Sequence, residues 1–125
     1  MKQKIPFGFV IEELERLHPV VKPMFGCYAI YVGETLVVIL RDRQDHIADN
    51  GVWLAIPHEH HESLKKDFPC LRSIGLLGNK ETVWQNIPVD EDDFEELVFR
   101  ACELVVKRDP RIGKVPKQKN KRVKP

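Results

Sequence analysis

The run His58-Glu-His-His-Glu62 is the densest set of side chains that could do chemistry. Imidazole nitrogens and carboxylates are ligands for Zn²⁺ and Ni²⁺. On a helix, His58, His61 and Glu62 fall within one turn of each other, so two imidazoles and a carboxylate could face one metal ion. The order departs from the zinc-protease motif, which places a second histidine four residues after the first. Glu62 holds that position here. A site therefore needs a further ligand from elsewhere, with Cys70, Asp67 and His46 as candidates. The metal reading selects the trio His58, His61 and Cys70. The plainer reading is a solvated first helical turn, with Glu59 and Glu62 near its positive end.

Other chemistry is less well served. The only serines are Ser63 and Ser73, and neither lies in a Gly-x-Ser-x-Gly elbow. Cys27 or Cys70 beside a histidine would form a thiolate pair, yet nothing local in the sequence activates either thiol. Three cysteines, Cys27, Cys70 and Cys102, make an odd count without metal-like spacing. They read as reduced, mostly buried small side chains of a cytosolic protein. Gly75 and Gly78 lack the Gly-Lys-Ser or Gly-Lys-Thr that completes a phosphate cradle. The acids Asp90, Glu91, Asp92 and Asp93 could hold Mg²⁺, but capping a helix explains them more simply. No cofactor is implied.

Charge is unevenly spread. The 125 residues carry a formal +1. Residues 1–106 hold 11 basic and 18 acidic side chains, a formal −7, whereas residues 107–125 hold nine basic side chains and one acid, a formal +8. Lys114, Lys117, Lys119, Lys121, Arg122 and Lys124 would attract phosphates without regard to base sequence and with strong salt dependence. The stretch has no aromatic residue on which a base could stack. The competing reading is a mobile, solubilising tail. A protein partner, a second copy of the chain or weakly held nucleic acid are the partners that fit. Apolar runs such as Leu36 to Leu40 span only five or six residues, against about 20 for a membrane-spanning helix. Glu12 and Glu13 interrupt the apolar N-terminal stretch, so it does not read as a secretory signal. A cytoplasmic location follows from this reading, with no membrane partner.

The elements that must position these groups are visible in the apolar periodicity. Phe7, Val10, Ile11, Leu14 and Leu17 predict an amphipathic helix that stops near Pro19. Residues 20–23 read as a link. Tyr28–Val32 and Thr35–Leu40, separated by Gly33-Glu34, predict a hairpin with Gly33 at positive φ. Residues 41–51 read as a loop, and Val52–Ile56 as a strand with Val52, Leu54 and Ile56 facing inward. Pro57 suits a first helical turn, so 58–68 is predicted helical. Residues 71–77 are ambiguous between loop and strand. Thr82–Ile87 reads as a strand, and a last helix follows, capped by Asp90. Its apolar stripe is Phe94, Leu97, Val98, Ala101, Cys102 and Val105. Met24 and Phe25 are expected to pack the first strand, with Gly26 allowing a bulge. Trp53, Trp84, Tyr28 and Tyr31 are expected to line one sheet face. The prediction is one α+β domain over 1–108, an antiparallel sheet of four to six strands with helices packed on it, and a basic tail over 109–125.

Val21-Lys-Pro-Met-Phe-Gly-Cys-Tyr-Ala-Ile-Tyr-Val32 resembles the signature of the TfoX N-terminal domain family, with Met24, Phe25 and Gly26 as its opening. Asn50-Gly-Val-Trp-Leu-Ala55 resembles the family's next strand. The resemblance covers roughly residues 1 to 105 and implies a small α+β domain of the TfoX N-terminal and YjbR-like type, similar to the type III secretion chaperone class. The family's named member is linked to natural competence and has a second, C-terminal domain that is not found in these 125 residues. Cys27 stands where many relatives have Gly, and the 41–51 loop is long. No catalytic residue set comes with the resemblance. The implied function is non-enzymatic, through protein or small-ligand contacts. Nucleic-acid binding by the tail and metal binding by the histidines are the alternatives.

Overall fold

A computed structural model describes residues 5–75 and 82–115. Six strands form one antiparallel sheet in the order β1-β2-β3-β4-β6-β5. They are β1 (Val20–Met24), β2 (Cys27–Val32), β3 (Thr35–Arg41), β4 (Gly51–Ala55), β5 (Arg72–Ser73) and β6 (Trp84–Pro88). Three helices accompany it: α1 (Gly8–Glu13), α2 (His61–Asp67) and α3 (Phe94–Val106). The α+β class and the antiparallel sheet are as the sequence predicts.

All three helices contribute to the same core. Val10 and Leu14 from the first helical segment, Leu64 and Phe68 from around α2, and Phe94, Val98, Ala101, Cys102 and Val105 of α3 meet Ile30, Leu40, Val52, Leu54 and Ile87 of the sheet. A smaller cluster lies on the opposite face, built from Cys27, Ala29, Leu36, Ile39, Trp53 and Ile74. β3 and β4 are therefore buried on both sides. This corrects the one-sided reading of Val52–Ile56, and it explains why Leu36–Leu40 is apolar without alternation. A bulge reconciles that run with the pleat. The register steps from Ile30↔Val38 to Tyr31↔Leu36, so Val37 is the extra residue. Val37 and Val38 then both join the helix-side core, whereas Leu36 and Ile39 join the other.

Several local expectations change. Val20–Met24 is a strand and not a link. Lys22 and Pro23 hid it, because β propensity scores them poorly. Their presence suits an edge. The two-residue turn makes Met24 and Cys27 a hydrogen-bonded pair, so Val21 and Pro23 face the open side. Proline offers no N–H there, which blunts the edge against strand addition. His58–His60 is a 3₁₀ turn, and α2 begins only at His61. Asp93, not Asp90, occupies the N-cap position of α3, without a side-chain capping bond. Tyr28 lies on the helix side, while Tyr31, Trp53 and Trp84 share the other face. The alternation along β2 divides the two tyrosines. The ambiguous segment contributes the short β5.

The packed chain runs past residue 108. Asp109 and Arg111 pair, Ile112 is buried in the main core, and Lys114 bridges to Leu36 at the start of β3. Gly33 has φ 62, as the hairpin requires.

Candidate functional site

β1 and β2 are joined by a tight turn whose central residues, Phe25 and Gly26, have φ of 50° and 79°. Two positive values in a row are the signature of a type I′ turn, which matches the twist of paired strands. Glycine accepts such a conformation freely, but phenylalanine does not. A Cβ at Gly26 would also meet the Arg43 guanidinium, the mobile end of a half-exposed side chain that can shift to make room. Phe25 is 94% exposed. The expected packing of Phe25 is thus overturned: the turn lifts the ring away from the sheet.

The loop after β3 lies at the same end of the sheet. Arg41, 2% exposed, organises it. One terminal nitrogen donates to the His46 carbonyl at 2.9 Å and to Asn50 Oδ1 at 2.7 Å; the other donates to the Asp45 carbonyl at 3.0 Å and approaches its carboxylate at 3.4 Å. Asn50 closes the loop through Arg43, accepting from its backbone N–H and donating to its carbonyl. Arg43 reaches the Asp45 carboxylate and the Gly26 carbonyl, which ties loop to hairpin. On the far side, Trp53 Nε1 donates to the Asp49 carbonyl, and the Gly75 N–H donates to the Asp49 carboxylate. The result is a stiff platform that leaves a second apolar side chain, Ile47, 67% exposed. His46 beside it has φ 47.

Cys27 opens β2 beneath this platform. Burial raises its pKa, against the opposing pull of Arg41 and Arg43. Asp45 adds a smaller push in the same direction as burial, and together they outweigh the arginines. Among the described residues Arg41 Nε has no hydrogen-bond partner. Sequence reasoning missed this pairing of strand ends, because Cys27 and Arg41 become neighbours only through the β2–β3 register.

The histidine run is placed differently from the metal reading. The His58 and His61 rings meet edge to face, 5.0 Å between centroids. His61 Nε2 lies 2.7 Å from the Ile56 carbonyl oxygen. Cys70 is not with them: its pKa is raised by burial and then by Glu91, with Arg72 and Arg100 as the other charged neighbours. Among the described residues no three His, Cys, Asp or Glu side chains converge as a metal site would need. The 3₁₀ turn over 58–60 is the local reason, because it breaks the helical spacing that would align His58 with Glu62. Of the basic residues proposed for phosphate contact, Lys114 is exposed, with its backbone held by Leu36. Lys117, Lys119, Lys121, Arg122 and Lys124 lie outside the described residues. Arg111 is committed to Asp109, Asp67 and Ser63.

What the fold and this platform define is an α+β domain with one six-stranded antiparallel sheet and a rigid apolar tip. No family model, curated protein or solved structure matches the chain. Among the described residues no helix is long and apolar enough to cross a membrane.

Proposed function

We propose that this chain is a non-catalytic module of the TfoX N-terminal type that works by docking a protein partner onto the β1–β2 tip. The observation that carries it is Phe25, a bulky apolar residue held at positive φ and almost fully in solvent. Neither feature helps the fold. Strain and exposure together mark a position kept for contact. The partner is one that offers an apolar cleft, since Arg43 and Asp45 neutralise each other beside the ring. The Met24-Phe25-Gly26 signature that carries the resemblance lies at this tip.

The test is a photo-reactive phenylalanine analogue at position 25 in cells that express the chain. A discrete adduct is expected, weakened by Ile47→Asp. The same analogue at Glu34, in the turn at the opposite end of β2, should give none. Equal adducts at both positions, or none at either, overturn the proposal.

A second reading is salt-sensitive contact with nucleic acid. It is supported by Lys114, whose side chain is exposed near the end of the described residues, ahead of the basic stretch 117–124. Anisotropy titrations at two salt concentrations, with and without residues 116–125, test it. Binding indifferent to both salt and truncation excludes it.

A further inference from the structure

At the other end of β2 lies a crevice of about 160 Å³. Leu17, Val32, Val37, Val105 and Ile112 line it, and Arg108 lies among its walls while remaining exposed, which places it at the mouth. Arg108 terminates α3. Its N–H donates to the Val105 carbonyl, and the next N–H, of Asp109, reaches back to Leu104. This pair of bonds is the Schellman stop, whose left-handed residue is usually glycine. Here arginine takes it at φ 62.

The strain is not offset by any partner for the side chain. Among the described residues the Arg108 guanidinium makes no hydrogen bond or ion pair. The neighbouring Asp109 cannot serve, because Arg111 binds both of its carboxylate oxygens, at 3.0 and 2.9 Å. The uncompensated charge at the mouth is therefore positive. Behind it, Leu17, Val32, Val37, Val105 and Ile112 form an aliphatic part of the wall, and Thr35 and Asp109 a polar part. A cavity of about 150 Å³ holds a six-carbon ring, so this one takes an aliphatic chain of four to six carbons. The aliphatic part disfavours a strongly hydrated dianion, whereas the guanidinium fork matches a single carboxylate.

We infer that this crevice binds a short-chain aliphatic carboxylate, with its chain between Leu17, Val37 and Val105 and its carboxylate on Arg108. The site is at the opposite end of β2 from Phe25, so either proposal can fail without the other.

The experiment is an NMR titration of the full chain with sodium pentanoate, with 1-pentanol and sodium acetate as controls at matched ionic strength. Saturable shifts of the Val32, Val37 and Val105 methyls are expected, with a Kd of about 1 mM. Pentanol, lacking the charge, and acetate, lacking the chain, should each bind at least about tenfold more weakly. Arg108→Gly suits the helix stop better, so it should keep the native spectrum and yet lose about tenfold or more in pentanoate affinity. Val105→Phe, which fills the crevice, should also abolish the shifts. Pentanoate shifts that stay linear to about 20 mM overturn the inference. So does equal binding of pentanol, or unchanged affinity in Arg108→Gly.

Discussion

Replacing Arg41 by methionine is the sharpest probe of the platform beneath the tip. Methionine keeps most of the length and packing of the side chain and removes the guanidinium. Three bonds of 2.7, 2.9 and 3.0 Å to oxygen atoms are lost, together with a weaker 3.4 Å contact to the Asp45 carboxylate. Bonds to a charged donor contribute about 1.5–3 kcal/mol each, so the gross loss is about 4–9 kcal/mol. Two effects offset it. Burying a guanidinium carries its own desolvation cost, which the variant no longer bears. The carbonyls of Asp45 and His46 belong to exposed residues and can turn to water. A net destabilisation of about 3 kcal/mol remains. With a urea m-value of about 1.5 kcal/mol/M for a domain of this size, the midpoint falls by about 2 M. Arg41→Lys should lose about half as much, because one ammonium cannot span Asn50, His46 and Asp45 at once. Amide exchange gives the local readout: the Asp49 and Asn50 N–H groups, bonded to the His46 and Ile47 carbonyls, should lose protection before β4 does. A midpoint shift under about 0.3 M, with loop protection unchanged, would refute the claim that Arg41 holds this loop in shape.

Gly51→Ala should cost about 3 kcal/mol or more in urea unfolding, because its φ is 147° and a Cβ would meet the Ile87 backbone carbonyl. Phe25→Gly should raise stability by about 1 kcal/mol in the same assay, since glycine relieves the left-handed position and no packing is lost; a destabilised variant would mean that the ring supports the fold. The hydrogen bond from Arg111 holds the Asp109 carboxyl below its ordinary value of 3.8. A depressed carboxylate contributes stability that is full above its unfolded pKa and is lost as pH falls through the folded one. Asp109→Asn should therefore lower stability at neutral pH and flatten the acid-unfolding profile below pH about 4, measured by circular dichroism. Burial pushes the Cys102 thiol up to about 12, so native Cys102 should resist iodoacetamide at pH about 8, as peptide mass mapping can read.

Legibility varied with how local the causes are. The β2–β3 hairpin and the stripe of α3 were readable because each depends on residues a few positions apart. β1 was not: Val20 and Val21 make a weak signal beside Lys22 and Pro23, and only pairing with β2 gives them a sheet to join. The candidate sites divided in the same way. His58 and His61 are close because they are close in sequence, but no sequence pattern could say whether Cys70 completes a metal cluster with them, and among the described residues no such cluster forms. Phe25 looked like core, since apolar side chains are usually buried. Its exposure goes with a tight turn in which Phe25 and Gly26 both take positive φ, and the Gly26 carbonyl is contacted by Arg43, a residue 17 positions away.

By itself, then, the order of amino acids determined the α+β class, the hairpin at Gly33, the apolar stripe of α3 and the division between an acidic body and a basic C-terminal stretch. Those properties follow from periodicity, backbone preference and charge, which act over a few residues. Tertiary structure alone decided that β3 and β4 are buried on both faces, that Arg41 comes to Cys27 and Asn50, that Phe25 points into solvent and that Arg108 stands at the mouth of a crevice. Each of these depends on strand register or on contacts between distant segments, which are set by global packing and not by local preference.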